Sequence, residues 1–295
     1  MRILVTGREG QVARSLIECG SRAGHDIVPL GRPELDLTNE SGAIIAAIEG
    51  QRPDVVVSAA AYTAVDKAES EPDRVFATNE RGAGAGARAA RLLDVPLVHL
   101  STDYVFDGSQ ASPYVEEDSP APTGVYGASK LAGEKAVLAE HGNSAILRTA
   151  WVYSPFGANF VKTMLRLAAD REEIGVVADQ RGNPTSALDI ADGVLAVAAN
   201  LLRDDDPGLR GIFHMTAEGE ASWAQFAETI FAASAEKGGP TARVKHIATA
   251  DYTTPARRPA NSRLDCGKLE RSHGVSLPNW RGSTEKVVSC LLDKA

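Results

Sequence analysis

The chain is predicted to fold as an α/β protein, a doubly wound parallel sheet with a smaller C-terminal α/β lobe. Three observations carry this. Five short apolar runs alternate with helix-patterned segments through the first 150 residues, the rhythm of right-handed βαβ units. The first run ends in a glycine turn that opens a helix. Beyond residue 150 the alternation breaks into short, unevenly spaced elements, too irregular for a second doubly wound domain. The expected division is a nucleotide-binding domain of residues 1–150 plus about 175–205, and a lobe of about 151–174 and 206–295 closing over the sheet's carboxyl edge.

Arg2 to Thr6 reads as a buried strand, followed by Gly7-Arg8-Glu9-Gly10-Gln11-Val12-Ala13 and a helix to about Arg22. In a strand–turn–helix unit that cradles pyrophosphate, the first glycine permits the tight turn and the second lets backbone approach the phosphates. The third small residue lets the helix pack closely. The spacing here is Gly7-x-x-Gly10-x-x-Ala13. Asp26 to Leu30 is the second strand, with Arg32 just past its end and Glu34 and Asp36 only later. An acidic residue near this strand end binds a ribose 2′-hydroxyl, whereas an arginine accommodates a 2′-phosphate. The reading is therefore NADPH, with NADH as a weaker alternative, and Asp36-Leu37 near the adenine.

A helix from about Glu40 to Glu49 leads to the strand Asp54–Ser58, which runs into the small residues Ala59-Ala60-Ala61. Small residues at a strand's carboxyl end let a cofactor lie against the backbone. Residues 71–94 read as one long helix rich in Ala and Gly, with Asn79 in a supporting role only. Pro96 to Ser101 is the fourth strand, and Thr102 stands at its carboxyl end, where a hydroxyl can donate to a substrate carbonyl. His99, on that strand, reads as a packed core histidine. A polar, Pro-rich loop delivers the chain to Tyr126-Gly127-Ala128-Ser129-Lys130. On a helix, Tyr126 and Lys130 are neighbours on one face, and an adjacent ammonium favours a phenolate. Alone, that spacing fits equally a half-buried Tyr beside a solvated Lys. Ala145 to Thr149 is the fifth strand, running into Trp151.

Composition excludes several classes. The net charge of -8 offers no basic surface to nucleic acid. No apolar run approaches the ~20 residues of a membrane span, and the N-terminus lacks a secretory pattern. Cys19, Cys266 and Cys290 fit neither a disulfide framework nor a zinc site. A cytoplasmic, reduced protein is expected.

With Thr6-Gly7-x-x-Gly10, Ser101-Thr102-Asp103 and Tyr126-x-x-x-Lys130 in this order, the chain resembles the extended short-chain dehydrogenase/reductases. Longer runs at 61–69, 101–108, 179–185 and 258–265 resemble, more specifically, the dTDP-4-dehydrorhamnose reductase family. That resemblance implies a Rossmann-like cofactor domain, a sugar-nucleotide lobe, and NAD(P)H-dependent reduction of a 4-keto sugar on dTDP. It places Gly10, Gln11 and Val12 at the pyrophosphate, Asp36 and Leu37 at the adenine, and Ala61, Tyr62 and Thr63 along the cofactor. It makes Tyr126, Lys130 and Thr102 catalytic, with Lys130 lowering the Tyr126 pKa. Thr102, Asp103 and Trp151 would hold the sugar, and Arg258, with Arg263 as a second candidate, the diphosphate. Ala13 departs from the usual third glycine. Some relatives dimerise around magnesium through a carboxylate on the first helix, but Arg14-Ser15 offers none until Glu18, so no metal site is expected. The expected partner is the dTDP-sugar, for a monomer or homodimer. Two other readings stand beside this one: an epimerase or reductase for another nucleotide sugar, and a non-catalytic regulatory subunit on the same scaffold.

Overall fold

The structure is a computed structural model that describes residues 1–293. Six parallel strands form the central sheet: β1 (Arg2–Thr6), β2 (Asp26–Leu30), β3 (Val55–Ser58), β4 (Leu97–Thr102), β5 (Ser144–Thr149) and a strand at Gly211–His214. Their spatial order is Gly211–His214, β5, β4, β3, β1, β2, so the chain reverses direction across the sheet between β1 and β3. Between them run α1 (Gln11–Arg22), α2 (Ser41–Glu49), α3 (Val65–Ala68), α4 (Pro72–Phe76), α5 (Ala83–Leu92) and α6 (Val125–Glu140).

The apolar strands are buried on both sides because successive side chains point to opposite faces and helices cover both. Ile3, Val5, Val55, Val57, Val98 and Leu147 face α1 and the helix Ala187–Arg203. Leu4, Val56, Leu97 and Ile146 face α2 and α5. The same alternation puts Ser58, His99 and Ser101 on the second face, opposite α6, as polar positions within an apolar layer.

The helix read across 71–94 is interrupted. Between α4 and α5, Ala77–Gly82 winds as a π-helix. Such one-residue expansions carry no periodic signal and often mark functional sites. Asn79, within it, accepts from the Tyr62 backbone N–H at 2.7 Å, and its amide donates to the Tyr62 carbonyl and to Ser129 Oγ. Gly133 on α6 lies so close that an added Cβ would collide with the Asn79 carbonyl oxygen.

Two elements stand elsewhere than the sequence reading put them. Gly211–His214, expected in the lobe, pairs in parallel with β5 as the sixth strand of the main sheet. Glu173–Val177, expected near the start of the returning domain segment, pairs instead with Arg243–Ile247 in a separate two-stranded sheet. Both pairings are non-local, and neither run contains a feature that names its partner. The lobe has its own core of Tyr153, Val161, Phe226, Ile230 and Trp280, among others. Among the described residues, no helix is long and apolar enough to cross a membrane.

Candidate active site

A cleft of about 1000 Å³ runs across the carboxyl ends of the strands and is roofed on one side by the lobe. At its floor, Gly7 adopts φ +96, a left-handed conformation that disfavours any residue with a Cβ. Gly10 caps α1 in extended geometry with no side-chain cap, and no carboxylate sits in the first helical turn. The first N–H groups of α1 are therefore left for an anion. Thr6 Oγ1 accepts from the N–H groups of Ala59 and Ala60, which ties the end of β1 to the shelf after β3. The side chain of Gln11 is engaged by the lobe, its Oε1 accepting from Ser154 and Asn159 and its Nε2 donating to the Val152 carbonyl at 3.4 Å.

At the far end, Arg32 is exposed and makes no ion pair among the described residues, whereas Arg8 pairs with Glu34 at 2.9 Å. Asp36 accepts from both the N–H and the hydroxyl of Thr38, which hold its pKa below the usual value. Leu37 lies beside it in the same wall. Arg8, Arg74 and Thr78 also line this end. The sequence reading missed them, because a residue's approach to the cleft from the glycine turn or the long helix leaves no motif.

In the middle of the cleft, Thr102 ends β4 and Tyr126 opens α6. The Thr102 hydroxyl donates to Asp103 Oδ1 at 3.0 Å and accepts from the Tyr104 N–H at 3.2 Å. Gly127 lets α6 press against the Tyr104 carbonyl, and the rings of Tyr104 and Tyr126 meet edge to face at 5.5 Å. Burial raises the Tyr126 pKa well above the ordinary phenol, and Thr102 beside it draws it part of the way back. Lys130 makes no hydrogen bond to the phenol. Its ammonium donates to the Leu100 carbonyl at 2.6 Å and contacts His99 Nε2 at 3.4 Å, so its charge is held against β4. Burial lowers the Lys130 pKa to about 8, against a smaller opposing effect of Glu134.

One helical turn further, Glu134 accepts two hydrogen bonds from Arg148, at 2.9 and 2.8 Å, and one from Ser101. Both charged side chains are 1% exposed. Tyr126, Lys130 and Glu134 thus dock one face of α6 onto β4 and β5.

The match to the family model described as RmlD substrate binding domain spans residues 1–292. A dTDP-4-dehydrorhamnose reductase from Sinorhizobium fredii is 53% identical over 292 residues, covering 99% of this chain and 98% of the relative. The chain belongs to the dTDP-4-dehydrorhamnose reductase family. The Escherichia coli K12 enzyme of that name is 39% identical, with 98% of this chain and 97% of the relative covered. A solved dTDP-4-dehydrorhamnose reductase from Bacillus anthracis, in complex with NADP, superposes with a TM-score of 0.89 at 36% identity, covering 97% of this chain and 98% of that one.

The remaining candidates divide. Ala61, Tyr62, Thr63, Asp103 and Trp151 line the same cleft as Gly7, Gly10, Gln11, Val12, Arg32, Asp36, Leu37, Thr102, Tyr126 and Lys130. Trp151 is held rigidly, with a left-handed backbone at φ 47, its ring stacked on Trp223 at 3.6 Å and backed by Gly182. Asp103 is buried with Oδ2 unpartnered, and burial raises its pKa to about 6. Arg258 and Arg263, the two diphosphate candidates, stand outside the cleft lining. Arg258 pairs with Asp66 at 2.7 Å, and its Nη1 has no partner among the described residues. Arg263 is likewise engaged, with Glu220 and Asn261. The run 258–265 works as a strap. Asn261 donates to the carbonyls of Gln110 and Ser112, and the Leu264 N–H donates to Asn183. No cluster of three or more metal-ligating side chains occurs among the described residues.

Proposed function

We propose that the protein reduces the C4 keto group of dTDP-4-dehydro-6-deoxy-L-mannose (dTDP-4-dehydrorhamnose) to dTDP-L-rhamnose, in nucleotide-sugar and cell-surface polysaccharide synthesis, with NADPH preferred over NADH. The observation that carries this reading is the meeting of Thr102, Tyr126 and Lys130 in one cleft with the uncapped start of α1. The cleft fits a dinucleotide. An added Cβ at Gly10 would meet nothing within 4 Å, and Gly7 closes the turn against Ala60. Arg32, which makes no ion pair among the described residues, is the cation this reading assigns to the 2′-phosphate.

When bound, the reduced nicotinamide supplies the hydride to C4. Thr102 turns its single proton from Asp103 to the sugar carbonyl and polarises it. Tyr126 gives its phenolic proton to O4 as the alkoxide develops, and its raised pKa keeps it protonated across neutral pH. Lys130, mostly charged at pH 7, places a positive charge beneath that developing oxyanion. Trp151, pinned by Trp223, offers a flat apolar wall to the sugar ring.

The test is cofactor oxidation by the purified protein with the dTDP-keto sugar, run with NADPH and NADH in parallel. Tyr126→Phe is expected to lower kcat by ~10²–10⁴ with KM little changed. Near-full turnover by Tyr126→Phe sinks the mechanism. Turnover without net cofactor consumption points instead to an epimerase.

A further inference from the structure

An ammonium has three N–H bonds and accepts none. Two of those of Lys130 are taken inside the protein, by the Leu100 carbonyl and by His99 Nε2. The His99 ring is 1% exposed and its Nδ1 lies 3.0 Å from Ser58 Oγ. The β3–β4 register sets Ser58 directly beside His99, both facing α6. Burial and the charge of Lys130 keep the imidazole neutral, so it carries one N–H and one lone pair. Because Lys130 can only donate, the lone pair is on Nε2 and the N–H on Nδ1 donates to Ser58. This tautomer is assigned from the bonding network.

We propose that His99 is a positioning residue, whose Nε2 and the neighbouring Leu100 carbonyl fix the Lys130 ammonium at two points and leave its third N–H for the cleft. A lysine side chain is long and carries large rotamer entropy. A single anchor at Leu100 leaves Nζ free to swing about it; the second anchor removes that freedom. Ser58 acts one step further back by holding the ring in the tautomer that can accept. The inference rests on the reductase reading and deepens it.

The titratable groups facing Lys130 are His99 from β4, and Tyr126 and Glu134 from its own helix. Only His99 and Ser58 are changed in the test. The pH dependence of kcat, and KM for the dTDP-keto sugar, are measured for the unaltered protein, His99→Leu, His99→Gln and Ser58→Ala. His99→Leu removes a bond that favours charged Lys130, so kcat is expected to fall about tenfold, with its alkaline limb moved to lower pH and KM little changed. His99→Gln, whose Oε1 can accept near the Nε2 position, is expected to restore kcat to within about threefold and to return the limb. Ser58→Ala releases the tautomer and moves the limb the same way by less; it carries the test alone if His99→Leu does not fold. The inference is overturned if neither His99→Leu nor Ser58→Ala moves the limb, or if Leu and Gln lose activity equally with the limb unmoved. No turnover by the unaltered protein overturns the reductase reading itself, and turnover with unaffected variants overturns His99 alone.

Discussion

Removing one partner of the Glu134–Arg148 pair has a calculable cost. In Glu134→Leu, the Arg148 guanidinium stays 1% exposed, with Nη1 already lacking a partner and the Phe106 ring 5.0 Å away. Leaving one member of a buried ion pair uncompensated costs ~3–5 kcal/mol. For 295 residues, an unfolding entropy of ~2.1 cal/mol/K per residue is ~0.6 kcal/mol/K, so Tm should drop by about 5–8 °C. In the double variant Glu134→Leu/Arg148→Met, no charge is stranded, and only Ser101 loses its acceptor, so stability should return to within ~2 kcal/mol of the unaltered protein. Calorimetry and urea unfolding of the four proteins give the coupling, expected to be at least ~2 kcal/mol. If the double variant loses the sum of the two singles, the pair is not acting as a unit and the reasoning fails.

Three further changes follow from close approaches and burial. Gly133→Ala drives a methyl into the Asn79 carbonyl and should cost more than ~2 kcal/mol with loss of turnover, while Gly142→Ala, where an added Cβ meets nothing within 4 Å, serves as the control in the same melts. Asp103 has its pKa raised on folding from 3.8 to about 6, so folding binds its proton; the penalty is absent below about pH 4, grows through pH 6 and is complete above. At ~1.36 kcal/mol per pH unit that is ~3 kcal/mol, so Asp103→Asn should stabilise by ~1–3 kcal/mol at pH 7.5 and by nothing at pH 4, with equal gains at both pH values counting against it. Arg32→Ser should raise KM for NADPH about tenfold or more and leave KM for NADH nearly unchanged; an unaltered ratio removes Arg32 from cofactor selection.

The strands and the cleft floor were legible because each is a local pattern. Two-sided apolar runs name β1, β3, β4 and β5, and the Gly7–Gly10 turn names the start of α1. Thr102 was legible as a position at a strand's carboxyl end, where doubly wound sheets bind ligands, and Tyr126 by its helical spacing from Lys130. What stayed hidden is what depends on register between distant segments. Ser58 meets His99, and Ser101 meets Glu134, only once β3, β4 and α6 are aligned. The π-helix at Ala77–Gly82 has no sequence period to reveal it, although it is what brings Asn79 between Tyr62 and Ser129. The pairing of Arg258 with Asp66 was hidden as well, because a cation in a specific run looks the same whether it meets a phosphate or a carboxylate.

The last strand of the sheet also has a timetable. β5 ends at Thr149 and its outer neighbour ends at His214, so 65 residues, most of them building the lobe and the helix Ala187–Arg203, emerge in between. At about 5–20 residues per second, that is roughly 3–13 s during synthesis in which β5 has an unpaired edge. An exposed, apolar edge strand is a template for another chain. The nascent protein therefore passes through an interval of vulnerability that the finished one does not have. Fragments ending before Gly211 should be recovered mainly as aggregate, whatever the quality of the five strands they contain.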